Sequence, residues 1–562
     1  MTFDALTLEI LWNRLISLVD EMAATLLRTS FSTVVGAAND FGCELLDANG
    51  RGLAHATRSM PVFNQIMPQL TQRVIAKYGD AGIRAGDIFI TNDPWICVGH
   101  YPDIAVILPF FRGDKRIGFA ASIAHVADIG GALDNNRVHE VYEEGLLIPL
   151  TRLYEQDKPV EVVYDFVRAN VRVPEMVIGD IHAQVSSAQV GAQKTLALLD
   201  EYDMDSLEAL AAEIQRRSES AMRAAIRAVP DGTYRRELMC DELDGAYPLR
   251  VAITVQGDEL LVDFAGTAPQ QPRGGVNCTF TYTQAHAAYA LKCALLPDVP
   301  SNEGCYEPIR IVAPEGSVLN CTHPASVMNR TKTGWYIAPL VFGALASVIP
   351  NQVMASGGLM TAINVYGIGA DGQAFNSQLF NAGGLGAGAR TDGSSTTVFP
   401  SSASNVPVEL FEVAAPILVH EKEFMPDSAG AGARRGGFGQ RVSFSRLPGY
   451  EGSVVLSVGI QRHVMPPEGL LDGEPGRAAH VQMDGRYLSR DEITANTGAV
   501  HLTQPEQVVT VETAGGGGFG DPAERPAELI ERDRRDELVS VSGAARALQS
   551  VTTSLSSSDG TL

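Results

Sequence analysis

Apolar residues near the start of the chain recur at steps of three and four positions. This spacing predicts an amphipathic helix over about residues 4–28, whose apolar stripe comprises Leu8, Leu11, Leu15, Leu18, Met22 and Leu26. Residues 40–53 then predict a strand, a turn rich in Asp, Asn and Gly, and a returning strand. Three apolar runs that follow each predict a buried strand: 88–90, 104–108 and 117–124.

The predicted secondary structure changes after residue 230. Helical periodicity over 175–229 ends at the turn residues Pro230, Asp231 and Gly232, and short strands separated by Gly, Pro, Asn and Asp follow. Further helices are predicted at 282–295, 334–348 and 528–536, and the Ser/Thr-rich end, 550–562, lacks the apolar content to fold alone. The pattern predicts an α+β, multi-domain mixed fold with three segments: an N-terminal domain (1–230), a strand-rich mixed domain (231–525), and a C-terminal helix with a flexible tail (526–562).

Length and charge limit the possible functions. A chain of 562 residues is too long for one compact core, so more than one domain is expected. Its 43 basic and 66 acidic residues give a formal charge of -23, which disfavours nucleic acid or an anionic membrane as a partner. The chain starts without the pattern of a secretory signal, no apolar run reaches membrane-spanning length, and the seven scattered cysteines include no CxxC pair. We therefore expect a cytoplasmic protein.

Candidate chemistry is concentrated in the first segment. His100 and Asp103 lie three residues apart, His125 ends a predicted strand, and Asp40 precedes another strand. Two imidazoles with carboxylates are a common ligand set for Zn, Mn or Fe at sites that keep one position open. If the strands over 104–108 and 117–124 are neighbours, these side chains meet at one end of the sheet. We therefore interpret 1–230 as a metal-binding catalytic domain, and the alternative is that the histidines are packed structural residues.

Two further carboxylates are candidates for supporting roles in catalysis. Asp128 is a candidate to orient a metal-ligating imidazole, and Glu144 is a candidate general base. The alternatives are that residues 128–131 only form a tight turn and that Glu144 belongs to an ordinary loop.

The glycine-rich segments do not predict a nucleotide site. Residues 367–372 match GxGxxG, but a second strand follows them instead of a helix, which favours a hairpin with an Asp-Gly turn. The other glycine-rich runs lack the Gly-Lys-Ser or Gly-Lys-Thr ending of a P-loop. No GxSxG motif is present, so a serine-hydrolase function is not supported. Any ATP used in the reaction is expected to bind elsewhere.

Several short motifs occur together in one order along almost the whole chain. They are Asp40-Phe41, Thr91-Asn92-Asp93-Pro94, Gly99-His100 with Asp103, His125 to Gly131, Tyr142 to Gly145, Asn170-Val171-Arg172, Asp263 to Thr267, Ser404 to Glu409, Arg435-Gly436-Gly437 and Gly515 to Pro522. In these motifs the chain resembles the hydantoinase B/oxoprolinase family. That family includes beta subunits of ATP-dependent N-methylhydantoinases and caprolactamases, and it is related to the alpha subunit of acetone carboxylase.

The resemblance implies both a site and a partner. It implies a divalent metal (Zn, Mn or Fe) on Asp40, His100, Asp103 and His125. It also implies a hetero-oligomer with a hydantoinase A-type, actin-like ATPase subunit, through which ATP activates a small cyclic amide such as a hydantoin, lactam or imide. Metal-activated water would then open the ring, with Glu144 or Asp128 assisting proton transfer. The rival interpretations are an acetone-carboxylase-like subunit that carboxylates a ketone enolate at the same metal, and a non-catalytic structural subunit.

The chain departs from the family pattern at two places. The usual Gly-Gly-Thr-His segment reads Cys97-Val98-Gly99-His100, beside the candidate metal ligands. The usual Asp-Ser-Gly-Gly segment reads Asp427-Ser428-Ala429-Gly430. The first departure leaves the substrate open.

Overall fold

The computed structural model describes residues 3–545, apart from 134, 242–244, 370–371, 373, 490–491, 493–499 and 505. The chain forms two compact units. The first comprises Met1–Thr233 and Ala252–Gly334, and the second comprises Tyr234–Val251 and Trp335–Leu562. The domain boundaries predicted from the sequence lie after residues 230 and 525, and they remain predictions. The predicted end at 550–562 lies outside the described residues.

The first unit carries eight of the helices that the structure describes. They are α1 (Ala5–Thr29), α2 (Thr33–Gly36), α3 (Pro61–Gly82), α4 (Glu161–Asn170), α5 (Pro174–Glu201), α6 (Glu208–Arg227), α7 (Phe280–Leu295) and α8 (Thr331–Gly334). The apolar stripe predicted for α1 is confirmed, because all six of its residues are buried. The Asp4 side chain caps this helix by accepting hydrogen bonds from the backbone N–H groups of Leu6 and Thr7.

A seven-stranded antiparallel sheet forms the centre of the first unit. Its strands are β1 (Phe41–Asp47), β2 (Gly52–His55), β3 (Ile88–Thr91), β4 (Asp103–Arg112), β5 (Lys115–His125), β6 (Thr151–Glu155) and β7 (Lys158–Pro159). They lie in the order β2-β1-β5-β4-β3-β6-β7. The predicted strand-turn-strand over 40–53 and the three buried strands are therefore confirmed.

The two faces of β1 meet different helices, because successive side chains of a strand point to opposite sides. Phe41, Cys43 and Leu45 pack in the apolar cluster that contains the buried stripe of α1 and residues of α5. Gly42 faces α3, since a Cβ atom at this position would lie 2.9 Å from Cβ of Phe63. Alternate residues of the same strand therefore serve an apolar core on one face and the layer that contains α3 on the other.

A second sheet is formed by later strands, and two of the boundaries between the units fall within its strands. Its strands are β8 (Gly232–Cys240), β9 (Tyr247–Gln256), β10 (Glu259–Asp263) and β11 (Ile309–Val312). In the first unit, β10 pairs antiparallel with β9 and parallel with β11. The unit boundaries fall within β8 and β9.

The second unit is rich in strands. Its helices are α9 (Ile337–Leu345), α10 (Val408–Ala414) and α11 (Ala527–Arg535). Its strands are β12 (Met360–Ile368), β13 (Ala374–Ala382), β14 (Ile417–Phe424), β15 (Gln440–Arg446), β16 (Ser453–Gly459), β17 (His480–Met483), β18 (Arg486–Tyr487), β19 (Val500–His501) and β20 (Val508–Glu512). They form two sheets, in the orders β13-β12-β16-β19 and β14-β15-β20-β17-β18. The mixed fold predicted from the sequence is confirmed.

The glycine-rich runs of the second unit form part of its interior. Backbone atoms hydrogen-bond between runs, from Gly516 N to Gly437 O at 2.9 Å and from Gly437 N to Leu385 O at 2.8 Å. A Cβ atom on Gly516 would lie 2.0 Å from Leu385 O, so only glycine allows the backbones to approach so closely. The GxGxxG match at 367–372 connects β12 to β13, which pair antiparallel as the predicted hairpin. Residues 370, 371 and 373 of that connection lie outside the described residues.

Among the described residues, no helix combines the length and apolar character needed to cross a membrane.

Candidate metal centre

Strand pairing brings the predicted ligands to one end of the central sheet. β4 and β5 are antiparallel neighbours, and Asp103 at the start of β4 is the register partner of His125 at the end of β5. The backbone N–H of His125 donates to the carbonyl oxygen of Asp40 at 3.0 Å, just before β1 begins. The expectation that strands 104–108 and 117–124 are neighbours is therefore confirmed.

The side chains converge as well as the backbone. Asp103 Oδ1 lies 2.8 Å from His125 Nδ1, and Asp103 Oδ2 lies 3.0 Å from His100 Nε2. Asp40 Oδ2 is 4.0 Å from His125 Nδ1. One ligand atom from each of His100, Asp103 and His125 can be chosen so that all three lie within 4.8 Å of one another. Asp40 borders this group, which we call the His/Asp cluster.

A distant backbone carbonyl orients His100. Its Nδ1 lies 3.0 Å from the carbonyl oxygen of Met328, which can only accept, so Nδ1 carries the proton. The lone pair is therefore on Nε2, which is buried and has no hydrogen-bond partner among the described residues. Metal-ligating histidines commonly donate their second ring N–H to a carbonyl in this way.

An arginine from the end of the first unit closes the cluster. Arg330 Nη2 lies 2.5 Å from Asp103 Oδ2, and its Nε donates to Val98 O at 2.5 Å. Its guanidinium carbon lies 4.5 Å from the centroid of the Tyr282 ring, a cation–π distance. Gly99 allows this approach, because it has φ +84° and a Cβ atom there would lie 2.9 Å from Arg330 Cδ. The altered segment around residues 97–100 therefore keeps the small residue that the arginine requires.

The environment sets the protonation states of three of these groups. Burial, reinforced by the charge of Arg330, lowers the pKa of His100 to about 4. Burial opposes ionisation of Asp103, but His100 and Arg330 hold its pKa well below its usual range. Burial raises the pKa of Asp40 to about 6, with the nearby His125 acting in the opposite direction. At neutral pH a neutral His100 and ionised carboxylates are favoured, which are the states that metal binding requires.

His125 differs from His100. Burial alone would lower its pKa, but the hydrogen bond to Asp103 and the charge of Asp40 raise the pKa of His125 above its ordinary value. An incoming cation must therefore displace a proton from this imidazole more often than from His100.

The residues present fit a divalent metal ion. The donor set of two imidazoles and two carboxylates suits Zn, Mn or Fe. His100 Nε2 supports the fit most directly, because this buried nitrogen faces Asp103 Oδ2 at 3.0 Å without forming a hydrogen bond. With the proton on Nδ1, both His100 Nε2 and Asp103 Oδ2 are acceptors, so a cation bound to both atoms would make their short distance favourable.

Glu144 is fully buried and lies near the cluster. Its Oε1 accepts hydrogen bonds from the backbone N–H groups of Val327 at 2.7 Å and Met328 at 2.8 Å, while Oε2 is buried and finds no partner in the described part of the chain. Burial raises the pKa of Glu144 to about 8, and the two hydrogen bonds and the charge of Arg330 act in the opposite direction. Glu144 therefore holds the segment that orients His100 and retains one unpartnered oxygen.

Asp128 has a different set of partners. Its Oδ2 accepts from the backbone N–H of Arg172 at 2.5 Å, and its Oδ1 accepts from the Arg172 guanidinium at 2.7 Å. The groups that contact the ring nitrogens of the two histidines are instead Met328 O and the Asp103 carboxylate.

The sequence interpretation did not include the residues contributed from positions 280–330. Arg330, Met328 and Tyr282 lie far along the chain from His100, and no local periodicity or spacing signals their approach. His286, one turn after Tyr282 on α7, is also fully buried, and within the described ranges neither ring nitrogen has a hydrogen-bond partner. Its ring centroid lies 4.4 Å from that of Tyr282. Burial lowers its pKa to about 3, so this imidazole is neutral.

The first unit thus combines an antiparallel sheet with a buried His/Asp cluster whose side chains could hold a metal ion. Residues 4–522 match the family model described as hydantoinase B/oxoprolinase, so the chain belongs to that family.

Several similar proteins match almost the whole of this chain. The caprolactamase subunit beta of Pseudomonas jessenii is 30% identical, and the match covers 97% of this chain and 95% of the relative. A crystal structure of the ATP-dependent caprolactamase from Pseudomonas jessenii is similar with a TM-score of 0.87 and 27% identity, covering 97% of this chain and 96% of that chain. A nucleotide-free acetone carboxylase structure has a TM-score of 0.83 at 18% identity, over 96% of this chain and 79% of that chain, which shows a shared fold.

Proposed function

We propose that this chain is the metal-dependent beta subunit of an ATP-dependent cyclic-amide hydrolase. The observation that carries the proposal is the His/Asp cluster, whose ligand atoms converge within 4.8 Å in a chain of the hydantoinase B/oxoprolinase family. The substrates are hydantoins, lactams or cyclic imides, and the caprolactamase likeness supports this class.

A divalent metal would be held by His100, Asp103 and His125, with Asp40 beside them. A divalent metal bound there supplies an activated water at neutral pH, because coordination lowers the pKa of the water. Met328 O keeps the His100 lone pair on Nε2, and Arg330 offsets part of the carboxylate charge. These contacts fix ligand geometry before substrate arrives, which is how outer contacts tune metal sites.

Glu144 assists proton transfer during ring opening. Oε1 is anchored by two backbone N–H groups, whereas Oε2 is unpartnered. A carboxyl whose pKa is raised to about 8 can both accept and release a proton near neutral pH. Asp128 contributes indirectly, because it fixes Arg172 against the loop over 128–131.

ATP enters through a partner subunit. The family relatives are described as a subunit beta and as an ATP-dependent enzyme, which supports a separate hydantoinase A-type ATPase in a hetero-oligomer. Activation of the amide by that subunit would supply the driving force for opening a stable ring. The glycine runs of the described part of this chain pack against one another in the second unit.

The proposal is tested by co-purifying the chain with a hydantoinase A-type ATPase subunit and measuring ring opening. Hydantoin, caprolactam and 5-oxoproline are each supplied with and without ATP. We expect ATP-dependent product from at least one of them, and loss of product in His100→Ala. A bicarbonate requirement with carboxylated product would instead support the acetone-carboxylase-like function. Product formation that is unchanged in His100→Ala would contradict the proposal.

A further inference from the structure

A polar cavity lies in the first unit, away from the His/Asp cluster. Its volume is about 240 Å³, several times the share of one water molecule in the liquid, which is about 30 Å³. β1 contributes Glu44, α3 contributes Asn64 and Gln69, and α7 contributes Gln284. Glu44 is four residues along β1 from Asp40, about 13 Å at the rise of a strand. The cavity is therefore separate from the candidate metal centre.

Glu44 is a deeply buried carboxyl group in the lining of this cavity. Glu44 is 2% exposed, and its Oε2 is buried with no hydrogen-bond partner from any residue that the structure describes. The chain makes room for this carboxyl, because a Cβ atom on Gly52 would lie 2.4 Å from Glu44 Oε1. Burial, together with the charge of Glu303, raises the pKa of Glu44 well above its usual range. A buried carboxyl of this kind is costly to ionise unless a positive group is brought to it.

The surrounding charges leave Glu44 without a counter-ion. Glu303 and Glu307 also line the cavity. Arg51 forms its ion pair with Glu307 at 2.5 Å. Within the described part of the chain, no ion pair reaches Glu44 or Glu303. An added cation would therefore meet two carboxyl groups that have no cationic side chain in ion-pair contact.

Asn64 and His55 contribute further polar groups to the cavity. Asn64 is 6% exposed, and its Nδ2 is buried without a partner, although its Oδ1 accepts from Ser59 Oγ at 2.9 Å. His55 Nδ1 lies 3.0 Å from the carbonyl of Ala56, so its Nε2 is an acceptor. The cavity thus presents acceptors for N–H groups, together with side-chain amides, among them Asn64, that can donate to an oxygen.

The geometry favours an organic ammonium over a metal ion. Among the described residues, the grouping of three ligand atoms close enough for a metal is the His/Asp cluster, and the carboxyls of this cavity form no second one. Among the described lining residues, Tyr306 is the one Phe, Tyr or Trp side chain, so the walls do not form the aromatic cage that selects quaternary ammonium groups. Carboxyl and amide groups suit a primary ammonium, which donates three hydrogen bonds.

We propose that this cavity binds a small organic cation through its primary ammonium group, with Glu44 as the counter-ion and Asn64 holding an oxygen at the other end of the ligand. The site is independent of the proposed hydrolase function, since none of its residues belongs to the His/Asp cluster.

Isothermal titration calorimetry on the full chain tests the proposal with two isosteric probes. Protonated 4-aminobutan-1-ol carries the ammonium, and 1,4-butanediol replaces it with a neutral hydroxyl. We expect saturable binding of the amine with a Kd of about 1 mM or tighter, and no saturable binding of the diol. Glu44→Gln keeps the shape and should weaken amine binding at least about tenfold, a loss of about 1.4 kcal/mol. Glu9→Gln, the same change at an exposed position of α1, should leave binding unchanged.

Four results would overturn the proposal. They are amine binding that Glu44→Gln does not weaken, equal binding of the diol, no amine binding up to about 50 mM, or binding of Mg²⁺ that depends on Glu44 and is not displaced by the amine. A thermal melt checks that each variant is folded. If Glu44→Gln does not fold, Glu303→Gln takes its place, and the same tenfold loss is expected.

Discussion

His100 donates its Nδ1 proton to the carbonyl oxygen of Met328 across 3.0 Å, although the two residues are 228 positions apart. This bond leaves Nε2 of His100 as a buried atom with a free lone pair that faces the Asp103 carboxylate. Met328 is itself held by Glu144 through its backbone N–H. The orientation of a candidate ligand thus depends on a carboxyl group that does not touch it.

Glu144→Gln separates the two roles of Glu144. Glutamine keeps a carbonyl acceptor for Val327 and Met328, so metal content should be unchanged, but it cannot exchange a proton, so turnover should fall about 100-fold or more. Elemental analysis and a steady-state assay of the same preparation measure both. Wild-type turnover in a folded Glu144→Gln variant would contradict the proton-transfer role of Glu144. Glu143→Gln, the same change at an exposed neighbouring residue, is the matched control.

The raised pKa of Glu144 also predicts how stability depends on pH. Because the folded protein raises this pKa to about 8, it binds the proton more tightly than the unfolded chain does. The stabilisation from Glu144 is therefore complete below its unfolded pKa, near 4.5, and is lost as pH rises through 8. Glutamine mimics the protonated form, so between pH 5 and 9 the melting temperature of Glu144→Gln should fall less than that of wild type. Parallel curves for the two proteins would contradict this assignment.

Arg330→Met should be strongly destabilising. The substitution removes the buried partner of Asp103 while leaving the carboxylate in place, and breaking such a pair costs about 3–5 kcal/mol. Thermal melts of metal-free protein measure the effect. Arg168→Met removes an exposed ion pair with Asp165 and should change stability by no more than about 0.5 kcal/mol. Equal melting temperatures for the two variants would show that Arg330 does not stabilise the cluster.

Two nearby glycines in the second unit give a test of its backbone packing. A Cβ atom on Gly386 would lie 1.9 Å from Ala355 O, whereas one on Gly388 would lie 3.7 Å from Val353 O, an ordinary contact. Gly386→Ala should therefore destabilise the protein by several kcal/mol, on the order of 4. Gly388→Ala should be tolerated. Comparable yields and melting curves for both variants would show that the glycine runs are less tightly packed than the structure indicates.

Local patterns predicted much of the first unit. The buried stripe of α1 follows from its three- and four-residue spacing. The strands β4 and β5 follow from their apolar runs. The candidate ligands Asp103 and His125 could be placed together because each lies at the end of a predicted strand, and only their register had to be supplied by the structure. The helix predicted over 334–348 differs from the structure, which has α8 over Thr331–Gly334 and α9 over Ile337–Leu345, because the chain turns at residues 335–336.

The rest of the site could not be predicted from spacing. Arg330 and Met328 reach His100 and Asp103 by folding of a segment more than 200 residues away. The polar character of Asp128 and Glu144 gave no indication that one pairs with Arg172 and the other with backbone N–H groups. Sequence identifies the types of groups that bind a metal, whereas tertiary contacts decide which groups orient them.

Metal content of the purified chain tests the central claim most directly. Elemental analysis compares wild type with a variant carrying His100→Ala and His125→Ala, and with a control carrying His182→Ala and His420→Ala, two exposed histidines outside the cluster. The account predicts nearly one equivalent of Zn, Mn or Fe in wild type and control, and its loss from the cluster variant. Absence of metal from all three proteins, or equal metal in all three, would contradict the assignment of the His/Asp cluster as a metal centre.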